Sequence, residues 1–77
     1  MTSVVLDKSV AEELIQYKLH SIQEEIRRIL ERWNETSAEA FLEKARDGTY
    51  EEAENDAIDL HQLLLDEQRM RELLDNL

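Results

Sequence analysis

IQYKLHSIQEEIRRILERW, residues Ile15–Trp33, decides the fold of this chain. Its large apolar residues Ile15, Leu19, Ile22, Ile26, Ile29 and Trp33 follow one another at steps of 4, 3, 4, 3 and 4. Alternating steps of three and four put all six on one helical stripe, the a and d positions of a heptad. Leu14 and Leu30 widen the stripe, which suits a helix packing against more than one neighbour. The spacing predicts a helix over 9–33. Fewer than three heptads are short for a free-standing coiled coil. The seam is therefore covered either by the chain's own later helices or by a second copy, and the pattern alone leaves both open.

Downstream, the helix pattern breaks at Asn34-Glu35-Thr36-Ser37. Asn tolerates the left-handed conformation that ends helices, and Thr36 with Glu39 reads as a capping box opening a second helix over 36–47. Ala38, Phe41, Leu42 and Ala45 supply its apolar face. Gly48, the only glycine, follows Asp47 and can take the positive φ of a helix stop. Thr49 and Glu52 read as a second capping box, which predicts a third helix over 49–75. Its apolar positions are Ala53, Ala57, Leu60, Leu63, Leu64, Met70, Leu73, Leu74 and Leu77, and Asp66-Glu67-Gln68 interrupts them, where a bend or a solvated segment is expected. Upstream, Val4-Val5-Leu6 fits a short strand or an extended arm over 1–8. The expected fold is all-α: a single domain over 1–77 of long helix, short helix and long helix, completed as a bundle by dimerisation through Ile15, Leu19, Ile22, Ile26, Ile29 and Trp33.

Composition supports a small helical domain and narrows its setting. The chain has 77 residues, no Pro, one Gly and no Cys. A domain this small often needs a staple, and disulfides and thiolate metal sites are excluded, which leaves oligomerisation. The longest apolar run is Leu63-Leu64-Leu65, far short of a membrane span. Met1–Asp7 lacks the basic start and apolar core of a secretion signal, and the absence of cysteine fits a reducing cytoplasm.

Charge is distributed unevenly. Residues 1–33 hold five bases and six acids, a net of −1, whereas residues 34–77 hold four bases and thirteen acids, a net of −9. From Asp47 to Gln68 there are eight acids and no Lys or Arg. A near-neutral half joined to a strongly acidic half reads as a scaffold carrying a surface for a basic protein. Glu51, Glu52, Glu54, Asp56 and Asp59 lie within nine residues with no Lys or Arg among them and are the candidate partner-binding residues.

No catalytic constellation is present in the sequence. Glu51 and Glu54 form an ExxE pair, and Glu72 and Asp75 an ExxD pair. Together they resemble the magnesium-binding pattern of all-α nucleotide pyrophosphohydrolases, whose paired carboxylates suit a hard cation. Here both pairs fall on the one predicted helix, and the eighteen residues from Glu54 to Glu72 span about 27 Å, so solvated helix faces account for them better. His20 and His61 lack a third spaced ligand. Trp33 reads as a core or interface anchor, and Tyr17 and Tyr50 as partly exposed rings with polar tips. No metal or cofactor is expected. The order of Val4-Val5-Leu6 before helices, with Ser21 and Glu24 as an internal capping box, resembles ribbon-helix-helix repressors. Tyr17-Lys18-Leu19-His20 has no turn glycine, however, and the first half carries no net positive charge to meet phosphates.

The stretch FLEKARDGTYEEAE, Phe41–Glu54, resembles the small acidic helical antitoxins of prokaryotic toxin–antitoxin pairs, over roughly residues 36–66. The resemblance implies a non-catalytic protein that binds and neutralises a basic toxin, commonly as a dimer. A homo-oligomeric scaffold is the alternative.

Overall fold

The computed structural model describes residues 7–77, which form three α-helices and, within that range, no strand. They are α1 (Lys8–Arg32), α2 (Ala38–Arg46) and α3 (Glu54–Asp75). The order long, short, long is the one the sequence predicts; the expected arm at Val4-Val5-Leu6 lies outside the described residues. α1 and α3 run antiparallel, with Arg32 at the end of α1 meeting Asp56 in the first turn of α3. α2 packs across the end of this hairpin where α1 stops and α3 starts.

The stop of α1 is a complete Schellman closure. Asn34 takes φ 57°, its N–H donates to the Glu31 carbonyl at 3.1 Å, and the Glu35 N–H donates to the Leu30 carbonyl at 2.8 Å. α2 then starts later than expected. Ser37, not Thr36, is its N-cap, with extended backbone and a side-chain oxygen accepting from the Ala40 N–H at 3.3 Å. The closure pins Glu35, so Thr36 serves as link and the next hydroxyl reaches the free amides. Gly48 ends α2 at φ 86°, as its position predicts.

The largest departure is the start of α3. The expected capping box at Thr49 and Glu52 does not form: Thr49 donates through its N–H and its hydroxyl to the Asp47 carboxylate, at 2.9 and 2.6 Å. Glu52 sits at φ 59°, Ala53 is buried, and the helix begins only at Glu54. Tyr50 provides the reason. Its ring turns back onto Trp33 and Phe41, and its hydroxyl donates to Glu35. Those long-range contacts outweigh a local cap worth about 1 kcal/mol. Further along, α3 continues unbroken through Asp66-Glu67-Gln68, carried by i,i+4 hydrogen bonds from Gln62 to Asp66 and from Gln68 to Glu72.

A left-handed backbone costs an ordinary L-residue roughly 1–2 kcal/mol, and glycine's extra unfolded-state entropy returns part of that. Glu52→Gly is therefore expected to stabilise the domain by about 0.5–1 kcal/mol, seen as a melting point a few degrees higher. Glu52→Gln, which removes the charge but keeps the Cβ, separates the backbone effect from relief of like-charge repulsion. Equal melting points for the two variants would contradict the backbone argument.

The core is assembled from all three helices and the turn before α3. Ile29, Phe41, Ala53 and Leu60 form one buried cluster, and Ile26, Leu30, Trp33, Leu42, Tyr50 and Leu64 pack against it. Trp33, Phe41 and Tyr50 form a closed aromatic triangle with ring centroids 5.1–5.9 Å apart. Such pairs add about 0.5–1.5 kcal/mol each beyond the area they bury. Ile22, further along α1, is also buried within the chain.

Candidate partner-binding face

Two polar nodes flank the aromatic triangle. On one side the Lys44 ammonium donates to the Glu35 carboxylate at 2.6 Å and lies 5.7 Å from the centre of the Tyr50 ring, while the Tyr50 hydroxyl donates to the same carboxylate oxygen. On the other, the Asp56 carboxylate accepts from the Trp33 indole N–H at 2.7 Å and from the Arg32 guanidinium at 2.9 Å. The Trp33 hydrogen bond, reinforced by Arg32, holds the Asp56 carboxyl below the usual aspartate range. The Lys44 hydrogen bond, then the Tyr50 hydroxyl, lowers Glu35 in the same way.

Both shifts act on stability in the same direction. A carboxyl whose pKa is lower in the folded than in the unfolded chain binds more protons when unfolded. Its contribution is present above the ordinary carboxylate range, about pH 4, and is lost as pH falls through the lower folded value. Asp56→Asn with Glu35→Gln is expected to melt lower than the parent at neutral pH, and the gap is expected to narrow below about pH 4. Melting curves measured across that range check this; a gap that stays constant would contradict it.

The five candidate carboxylates are brought to one end of the molecule but not onto one helix. Glu51 and Glu52 lie in the turn before α3, while Glu54, Asp56 and Asp59 lie on its first turns. Glu51, Glu52, Glu54 and Asp59 are exposed, and among the described residues none of the four is in an ion pair. Asp56 differs from them, because its carboxylate is committed to Trp33 and Arg32. Asp59 borders a cleft of about 380 Å³ between α1 and α3 that Arg28 also lines. The freest negative charge is thus at Glu51, Glu52 and Glu54.

The heptad seam divides in two. Ile22 and Ile29 are buried within the chain, and Ile26 and Trp33 pack on its own core. Ile15 and Leu19 are half-buried. Val10, Leu14 and Tyr17, on successive turns of α1, are exposed. Tyr50, by contrast, is half-buried in the triangle. Contrary to expectation, the two acidic pairs do not share one helix: Glu51 lies in the turn before α3 and Glu54 opens it, whereas Glu72 and Asp75 lie at its far end, and no group of three or more metal-ligating side chains occurs among the described residues. Among those residues, no helix is long and apolar enough to cross a membrane.

Sequence reading also missed one residue of this end. Ile58 lies off the core stripe of α3 and is 61% exposed. The signal for it was a large aliphatic residue between Asp56 and Asp59, out of step with the Ala53, Ala57, Leu60 and Leu64 stripe. No family model matches the chain, and neither a curated protein nor a solved structure shows significant similarity to it.

Proposed function

We propose that this chain is a non-catalytic interaction module, antitoxin-like, that binds and neutralises a basic protein partner through the acidic surface at the start of α3. One observation carries the reading: Glu51, Glu52, Glu54 and Asp59 are exposed at one end of the fold without an ion-pair partner among the described residues. These four carboxylates make a negative field at that end, which steers and holds a cationic partner. The resemblance of Phe41–Glu54 to small acidic antitoxins and the cysteine-free sequence support a cytoplasmic toxin as that partner.

The test is co-expression with the product of an adjacent small basic reading frame. Charge complementarity acts chiefly on encounter, so association is expected to slow at least about tenfold between low and high salt. Neutralising Glu51, Glu52, Glu54 and Asp59 to their amides, with Asp56 kept to preserve its internal contacts, is expected to flatten that dependence. A complex that forms at the same salt-dependent rate after neutralisation would contradict the assignment.

A second reading rests on the exposed stripe Val10, Leu14 and Tyr17. Here the chain is a self-associating scaffold, and its dimer contact is the N-terminal half of α1 together with Ile15 and Leu19. Sedimentation of the wild type and of Leu14→Asp separates the two: a dimer dissolved by the substitution favours the scaffold, and a monomer at tens of micromolar (typical of weak association) removes it.

A further inference from the structure

Residues of α2 and α3 alone line an open groove of about 940 Å³. Its apolar lining is Leu42 and Ala45 of α2 and Ala57 and the exposed Ile58 of α3. Three carboxylates line it, Glu39 and Glu43 from α2 and Glu54 from α3, against one guanidinium, Arg46, and the imidazole of His61. All three carboxylates are exposed, and among the described residues none is in an ion pair.

We infer that this groove is the docking site for an amphipathic basic helix of the partner protein. The inference rests on the acidic-surface reading above and specifies what the partner brings to it. An apolar trough between two helices is filled by a third helix through residues at i, i+4 and i+7. The nine residues of α2 run about 13.5 Å, long enough for the roughly 10.5 Å between i and i+7. Lysines or arginines flanking that apolar stripe fall opposite Glu39, Glu43 and Glu54. The same charge disfavours a second copy of this chain as the occupant. Its own exposed helical stripe at Val10, Leu14 and Tyr17 has no basic excess, Glu12 and Glu13 balancing Lys8 and Lys18, and the whole chain has a net charge of −10. Ile58 is the specificity element: an exposed aliphatic side chain among carboxylates rewards a partner that is both apolar and basic over one that is only basic.

The probe is a helical peptide of about 15 residues, a length at which helix formation in water is marginal but attainable, with leucines at i, i+4 and i+7 and lysines on both flanks. Two control peptides replace its leucines by serine or its lysines by glutamate. The probe is expected to bind the intact chain and to shift amide resonances of Leu42, Glu43, Ala57 and Ile58. Ile58→Asp is expected to weaken it about tenfold, as for an anchor in an interface, without changing the melting point, since Ile58 is exposed. The serine control is expected to bind much more weakly than the probe, and the glutamate control not at all. If the serine control binds as well as the probe, or Ile58→Asp binds it unchanged, the groove assignment is overturned while the acidic-surface reading stands. If the lysine peptide binds no better than the glutamate control, both fail.

Discussion

Phe41→Ala is expected to lower the melting midpoint of the chain by roughly 12–40 °C. Phe41 is fully buried and is the one residue of α2 that reaches the centre of the core, against Ile29, Ala53 and Leu60. Removing a buried phenylalanine side chain costs about 3–5 kcal/mol in transfer and cavity energy. A domain of this size has a total stability of roughly 4–12 kcal/mol, at about 0.05–0.15 kcal/mol per residue, so one substitution removes a large share of it. The ring also supports Trp33 and Tyr50 at 5.7 and 5.9 Å. Its loss therefore loosens the turn that carries Glu51 and Glu52 as well as the core. Phe41→Leu, which refills most of the volume, is expected to cost less than about 1.5 kcal/mol. Circular dichroism melts of the pair check the argument; a Phe41→Ala midpoint within a few degrees of the parent would show that the aromatic triangle does not hold α2 in place.

Ile22→Asp is expected to be comparably severe. Ile22 is 3% exposed within the chain. The substitution gives up about 1.5–3 kcal/mol of aliphatic burial and sets an ionisable group in an apolar contact, where an uncompensated polar atom costs a further 1–3 kcal/mol or more. The chain is expected to lose most of its helix content at every protein concentration, because the partner of Ile22 lies within the same chain. Ile15→Asp, on the half-buried part of the same seam, is expected to leave the fold intact. A folded monomer of Ile22→Asp would mean that a second copy, rather than α3, covers the middle of the seam.

The contrast between Ile22 and Ile15 shows what a sequence pattern conveys and what it leaves out. A heptad reports that one face of a helix is apolar, and α1 follows it closely. The same heptad is silent on which chain covers that face, since a second copy and the chain's own α3 satisfy the same periodicity. Helix stops were legible because they are local: Asn34 and Gly48 both take the left-handed backbone that their residue types favour. The start of α3 was not, because Tyr50 is held by residues fifteen and seventeen positions earlier, and no local capping pattern encodes that. Asp56 is the corresponding case at the candidate site. In the sequence it is one of five similar acids, and only the fold brings Arg32 and Trp33 to it across more than twenty residues. Ile58 escaped notice for the opposite reason: a pattern search for a buried stripe passes over an aliphatic residue that points away from it.

Hydrogen exchange on the complex with the adjacent basic gene product tests the central claim most directly. An acidic surface and groove at the α2–α3 end predict new protection over residues 38–62, greatest in the turn around Glu51–Glu54 and in the first turns of α3. Residues 8–20 of α1 are expected to exchange as they do in the free chain. Protection confined to residues 8–20, with the turn before α3 unchanged, would place the partner on the exposed stripe of α1 and contradict the account.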